Sequence, residues 1–183
     1  TAGALDVSVD WGGVPAPPLQ VRLRVKDVSY RSAPVAGLGR TTQRLDVNAE
    51  LTGGWPKISD AAAMAQWRDN GGTVEIRSLA VRHGPLEMDG DGTLALDGDL
   101  QPLAAFSLGV RGYIEAVDGL RDAGVIKARP AELAKTVLAL LGGSGRDGEG
   151  GRIKVPLSIQ DKSLYIGPVA VARVPPVHWS GGG

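Results

Sequence analysis

A chain of 183 residues is long enough for one domain with a sizeable core, and its 20 basic residues balance its 20 acidic ones. That balance argues against a nucleic-acid partner requiring a basic stripe, and the absence of cysteine removes disulfide and thiol chemistry. No apolar run reaches the roughly 18 residues needed to span a bilayer. Aromatic residues make up only 4 % of the chain, so the expected interior is aliphatic. The chain opens on Thr1 rather than methionine, and the expectation is a piece of a longer protein whose leader or anchor lies outside this stretch.

From the N-terminus, Leu5, Val7, Val9 and Trp11 alternate with Asp6, Ser8 and Asp10, which predicts a half-buried strand. Gly12-Gly13 and the proline run 15–18 end it. The cleanest alternation follows, with Leu19, Val21, Leu23 and Val25 on one face and Gln20, Arg22, Arg24 and Lys26 on the other. A loop from about Ser29 to Thr42, carrying Pro34, Gly37 and Gly39, leads to a third strand over Leu45 to Leu51, with Asp46, Asn48 and Glu50 on its polar face. A basic strand between two acidic ones predicts cross-strand ion pairs on a solvated face, each worth at most ~1 kcal/mol. The alternative is an anion site at Arg22 and Arg24.

Trp55-Pro56 closes this strand, and Ser59-Asp60 caps a short helix with Ala61, Met64, Ala65 and Trp67 as its inward stripe. Gly71-Gly72 ends it. From Thr73 to His83 the phase switches between Val74/Ile76 and Leu79/Val81, which asks for a bulge at Arg77-Ser78. The central hairpin spans Gly84 to Gly112. Leu86, Met88, Leu94 and Leu96 share one parity, and Gly90 and Gly92 leave gaps in it that imply a bulge or close backbone approach. Asp97-Gly98-Asp99 with Gln101-Pro102 forms its turn, and Ala104, Phe106, Leu108 and Val110 form the return arm.

A helix is predicted from Tyr113 to Ala123 with Ile114, Val117 and Leu120 at helical spacing. Another starts near Pro130, with Leu133, Val137, Leu138 and Leu141 as a broad apolar face. The stretch from Gly142 to Gly151 reads as a flexible loop. A second hairpin closes the chain: Arg152 to Ile159, a turn at Asp161-Lys162, then Leu164 to Val171 with an edge or bulge at Gly167-Pro168.

The expected fold is a single β-rich α+β domain over residues 1–183. It is a curved antiparallel meander of about eight strands, with about three short helices covering part of one face. If the cover falls short, an aliphatic trough remains for a partner or a lipid.

Motifs for chemistry are weak. Asp89, Asp91, Asp97 and Asp99 resemble a calcium loop, but no closing Glu follows and the spacing is that of a strand. His83 and His178 are the only imidazoles, and His83 reads as a strand-end residue. No serine stands in a nucleophile elbow. The stretch from Gly142 to Arg146 lacks the Lys-Ser/Thr of a phosphate loop, and Glu75 and Glu87 read as solvated sheet residues. No enzyme activity, metal or cofactor is expected.

Three segments carry a family resemblance: GGTVEIRSLAVRHGPLEMDGDGTLALDGDLQP, LGVRGYIEAVDGL and GGRIKVPLSIQDKSLYIGPVAVARVPP. Over Gly71 to Pro176 the chain resembles the alphaproteobacterial domain-of-unknown-function 2125 family, which is distantly similar to the AsmA and TamB group of envelope proteins. The resemblance implies a periplasmic β-domain held at the inner membrane by an N-terminal anchor, and a role in envelope homeostasis. No catalytic residues carry over. The favoured expectation is a lipid- or hydrophobic-segment-binding module lined by Leu86, Met88, Leu94, Leu96, Phe106, Leu108, Ile153, Val155 and Leu157. The alternative is a structural module that docks another envelope protein, and an envelope hydrolase is held in reserve.

Overall fold

The protein is described by a computed structural model over residues 4–10, 19–31, 38–54, 60–142 and 151–180. Expectations for Trp11, the proline run 15–18, Pro34, Gly37, Trp55-Pro56, Ser59 and the glycine-rich loop 143–150 lie outside the described residues.

The element order is β1 (Ala4–Asp10), β2 (Leu19–Ser29), β3 (Thr41–Leu51), α1 (Ala61–Asp69), β4 (Val74–His83), β5 (Leu86–Leu96), β6 (Pro102–Arg111), α2 (Tyr113–Asp122), α3 (Ala128–Gly142), β7 (Ile153–Gln160), β8 (Ser163–Ile166) and β9 (Val169–Arg173). All nine strands lie in one open sheet in sequence order, each antiparallel to the next. Alternation along each strand sends every second side chain to one face. The register then aligns these into ladders across the sheet. One runs Val7, Leu23, Val47, Leu79, Gly90, Leu108, Val155, and the next runs Val21, Ala49, Ile76, Gly92, Phe106, Leu157, Ile166.

Two irregularities keep those ladders continuous. The β3–β4 and β4–β5 registers both shift around Arg77-Ser78, so the phase switch in the sequence is absorbed by a bulge and Leu79 returns to the apolar face. In β5 the glycine gaps admit the neighbouring strand: a Cβ on Gly92 would stand 2.2 Å from Phe106 Cδ1 and 2.6 Å from the Ala105 carbonyl oxygen.

Helices cover the apolar face at two places. Leu108, Val110, Ile153, Val155, Ile166 and Val171 of the sheet bury with Val117 of α2, Ile126, and Ala131, Ala134 and Leu138 of α3. Across the sheet, Met64 and Trp67 of α1 bury with Leu19 and Leu51, and Trp67 Nε1 donates to the Thr52 carbonyl at 2.7 Å. Asp60 caps α1, its carboxylate accepting from the Ala63 amide at 2.7 Å. The C-terminal segment ties the α1 end together. Buried Gln101 donates to and accepts from the backbone of Val177, Trp179 Nε1 donates to the Leu100 carbonyl, and Ala61 N donates to the Ser180 carbonyl.

Four expectations need correction. The strand expected over Leu164 to Val171 is two strands, because Gly167 at φ 55° turns the chain back and Val169 pairs with Ile166; this makes nine strands rather than eight among the described residues. The strand expected from Leu45 begins at Thr41. On α2, Ile114 is exposed, and the buried residues are Ala116, Val117 and Gly119. On α3, the side chains against the sheet are Ala131, Ala134 and Leu138, while Leu133 and Leu141 point away and are exposed. Leu138 and half-buried Val137 keep the expected stripe's place on the core, and the small alanines beside them let the helix backbone approach the sheet closely, which leaves Leu133 and Leu141 outside.

α2 and α3 are joined by charge as well as packing. Asp118 receives Lys135 Nζ at 2.7 Å and Arg121 Nη1 at 3.0 Å, and Lys135 also reaches Glu132 at 3.1 Å. The hydrogen bond from Lys135 holds the Asp118 carboxyl below the usual aspartate value of 3.8, while the Asp118 and Glu132 carboxylates raise Lys135. A depressed carboxyl stabilises the fold above its unfolded value and loses that contribution as pH falls through the folded one. A raised ammonium does so below its unfolded value and loses it as pH rises through the folded one. The melting temperature is therefore expected to fall on acidification below the usual aspartate value, and the part of that fall due to this pair disappears in Asp118→Asn, as read by thermal scans across pH. Gly92→Val is expected to cost about 1–3 kcal/mol in urea denaturation through overpacking against Phe106.

Candidate functional site

Between the two helix-covered regions lies a band of aliphatic side chains that belongs to neither. Leu23, Leu45, Val47, Ile76, Val81 and Leu94 are each half-buried, and Val7 at the β1 margin is exposed. They come from adjacent strands β1 to β5, and the strand register alone brings them side by side. The lining residues read from the sequence divide three ways. Leu108, Ile153 and Val155 are buried core beneath α2 and α3. Leu86, Met88, Phe106 and Leu157 are half-buried against that core, and Leu96 is half-buried against the α1 cluster. Leu94 alone lies in the uncovered band. Sequence reasoning passed over Leu23, Val47 and Ile76 as lining residues, although their alternation was legible, because nothing in alternation says where a helix will land.

The opposite face is polar and largely self-paired. Register sets Arg24 between Asp6 and Asp46, as the charge alternation predicts. The ion pair that forms, however, lies within β3, from Arg44 to Asp46 at 2.5 Å. Arg77, thrown outward by the bulge, takes Glu50 at 3.1 Å. Arg82 pairs with Glu87, and its hydrogen bond holds that carboxyl below the usual glutamate range. Arg152 pairs with Asp89. Two open hollows of about 510 and 590 Å³ indent this face and share Asp89, Gly90 and Asp91. The first is lined by Arg22, Arg24 and Asn48 together with Leu23, Val47 and Leu79, the second by Ser107, Arg152 and Lys154. A third, of about 530 Å³, lies between the α2–α3 link and β8–β9.

The aspartates of the central hairpin have separate tasks. Asp89 meets Arg152, and Asp97 accepts from the amides of Asp99 and Gln101 at 2.8 Å each, which closes the β5–β6 turn. Among the described residues no group of three or more His, Asp or Glu side chains could hold a metal ion. His83 ends β4, as its position predicts, and is buried with Nδ1 2.9 Å from Thr42 Oγ1 and its ring tilted against Tyr30 at 6.4 Å. Thr42 is equally buried, so the pair pins β3 to β4 away from solvent.

No helix among the described residues is long and apolar enough to cross a membrane. No curated protein and no solved structure matches the chain. A family model described as an uncharacterized protein conserved in bacteria does match, over residues 2–175, nearly the whole sequence. By that match, and in keeping with the segments GGTVEIRSLAVRHGPLEMDGDGTLALDGDLQP and GGRIKVPLSIQDKSLYIGPVAVARVPP, the chain belongs to the DUF2125 family.

Proposed function

We propose that this domain is a non-enzymatic binding module that holds the acyl chain of a lipid along its uncovered aliphatic band, in the bacterial envelope. The supporting observation is the band itself. Leu23, Val47, Ile76 and Leu94 are half-buried and belong to neither helix-packed cluster among the described residues, whereas equivalent ladder positions farther along the sheet are packed under α2 and α3. Its chemistry favours an acyl chain. The side chains are branched aliphatics without hydrogen-bonding groups, and dispersion with water exclusion needs no directional partner. Covering apolar area at about 25 cal/mol per Å² makes a chain of several methylenes a sufficient ligand. The envelope setting rests on the resemblance to the AsmA and TamB group, whose members act there.

A second reading follows from the sheet's unpaired edges. β1 has no strand on its outer side among the described residues, and an extended segment of another envelope protein could add there. Native mass spectrometry of protein purified from an envelope extract, followed by lipid extraction, separates the two. Near-stoichiometric lipid is expected, and it should be lost in Leu94→Asp or Ile76→Asp with cooperative unfolding retained. A lipid-free wild-type mass, with a stable protein complex in its place, would overturn the acyl-chain reading.

A further inference from the structure

The zero net charge conceals a cluster of like charges at one end of the sheet. At the end of the sheet where β2, β4 and β6 finish and β3, β5 and β7 begin, one row of the polar face reads Lys26, Arg44, Arg82, Glu87, Arg111. Lys26 faces Arg44, and Arg44 faces Arg82, so like charges stand directly opposite on three adjacent strands. Such pairs are unfavourable in isolation. Arg31 and Arg40 extend the row past the strand ends, linked by an Arg40 Nη1 bond to the Arg31 carbonyl and a Tyr30 N bond to the Arg40 carbonyl. Carboxylates answer only part of this charge. Asp46 takes Arg44 and Glu87 takes Arg82, whereas Lys26, Arg31 and Arg40 have no carboxylate within ion-pair distance among the described residues. The other end is mixed: Asp60, Asp69, Asp97 and Asp99 stand by α1 and the β5–β6 turn, with Arg68 among them and Lys162 and Arg173 farther along.

Exposed apolar side chains gather at the basic end. Ile114 begins α2 directly after β6, and Tyr30 follows β2. Leu140 and Leu141 finish α3, whose last residue Gly142 lies against Tyr113 and Ile153. All four are exposed, Leu140 at 76 %. The cations stand at the β2–β3 side of this end and the leucines at the α3 side, and an end that carries both kinds of group has the composition of a surface that sits in a bilayer interface. The cations meet anionic headgroups, and the apolar groups enter the boundary beneath them. A nucleic acid would use the cations but leave the leucines without a role.

We infer that the basic end, carrying Lys26, Arg31, Arg40, Ile114, Leu140 and Leu141, docks this domain on an anionic lipid bilayer. The opposite end is then held away from the surface and the strands stand upright upon it. This surface is independent of the aliphatic band, and its test is independent of bound lipid.

The test is sedimentation of the full chain with vesicles of phosphatidylcholine alone or with about one-third phosphatidylglycerol, at low and moderate salt. Binding to the anionic vesicles alone, weakening with salt, is expected. Lys26→Glu, Arg31→Glu and Arg40→Glu together should reduce it about 100-fold or more, at roughly fivefold for each cation removed. Leu140→Asp with Leu141→Asp should reduce it about tenfold or more with the salt response kept, because exposed leucines leave the fold intact. Val125→Asp, equally exposed but on the α2–α3 link at the far end, should change nothing. Binding to neither vesicle, binding unmoved by the triple reversal, or binding to a DNA duplex that equals vesicle binding and ignores the leucines would each overturn the inference.

Discussion

A single sheet buries nothing until a second layer lies on it, and here that layer is too small. Nine strands at about 4.8 Å spacing make a face nearly 40 Å across, and strands of 11 residues run about 37 Å. The three helices have 9, 10 and 15 residues, each covering a strip about 10 Å wide and at most about 22 Å long. The rest of the molecule follows from this shortfall. α2 and α3 settle side by side over β6 to β9, α1 closes the far end of β2 and β3, and the aliphatic ladders between them stay half open.

The face that needs no cover behaves differently. Several of its charges are met by neighbours on the same sheet, Arg44 by Asp46, Arg77 by Glu50 and Arg152 by Asp89. The two faces therefore present unlike surfaces, one of charged groups paired over much of its area and one with unspent apolar area. A shared strand register produces both, because each residue's parity assigns it to one or the other.

Much of this was legible in the alternation of single strands. The bulge at Arg77-Ser78, the glycine gaps at Gly90 and Gly92 and the Asp60 cap follow from local chemistry, and the sheet keeps all three. What alternation lacks is a statement about the second layer. The outward turn of Leu133 and Leu141 depends on Ala131 and Ala134 meeting the sheet, a contact between segments that neither sequence contains. Leu108 and Ile153 consequently became core while Ile76 stayed half open, although all three read alike in the sequence. The strap from Val177 to Ser180 carries no periodicity at all; its hydrogen bonds to Gln101 and Leu100 exist only once the β5–β6 turn is made.

That strap bears on how the chain assembles. Every strand pairs with its neighbours in sequence, so the sheet can grow strand by strand, with its longest closures where α1 and the α2–α3 pair intervene. The Gln101–Val177 bonds, 76 residues apart, instead close a very long loop and can form only after the sheet is nearly whole. The tail is thus the last piece to lock. A chain emerging from its site of synthesis would hold a nearly complete sheet before α1 receives its final fastening, and the α1 end would be the first to open when the fold is stressed.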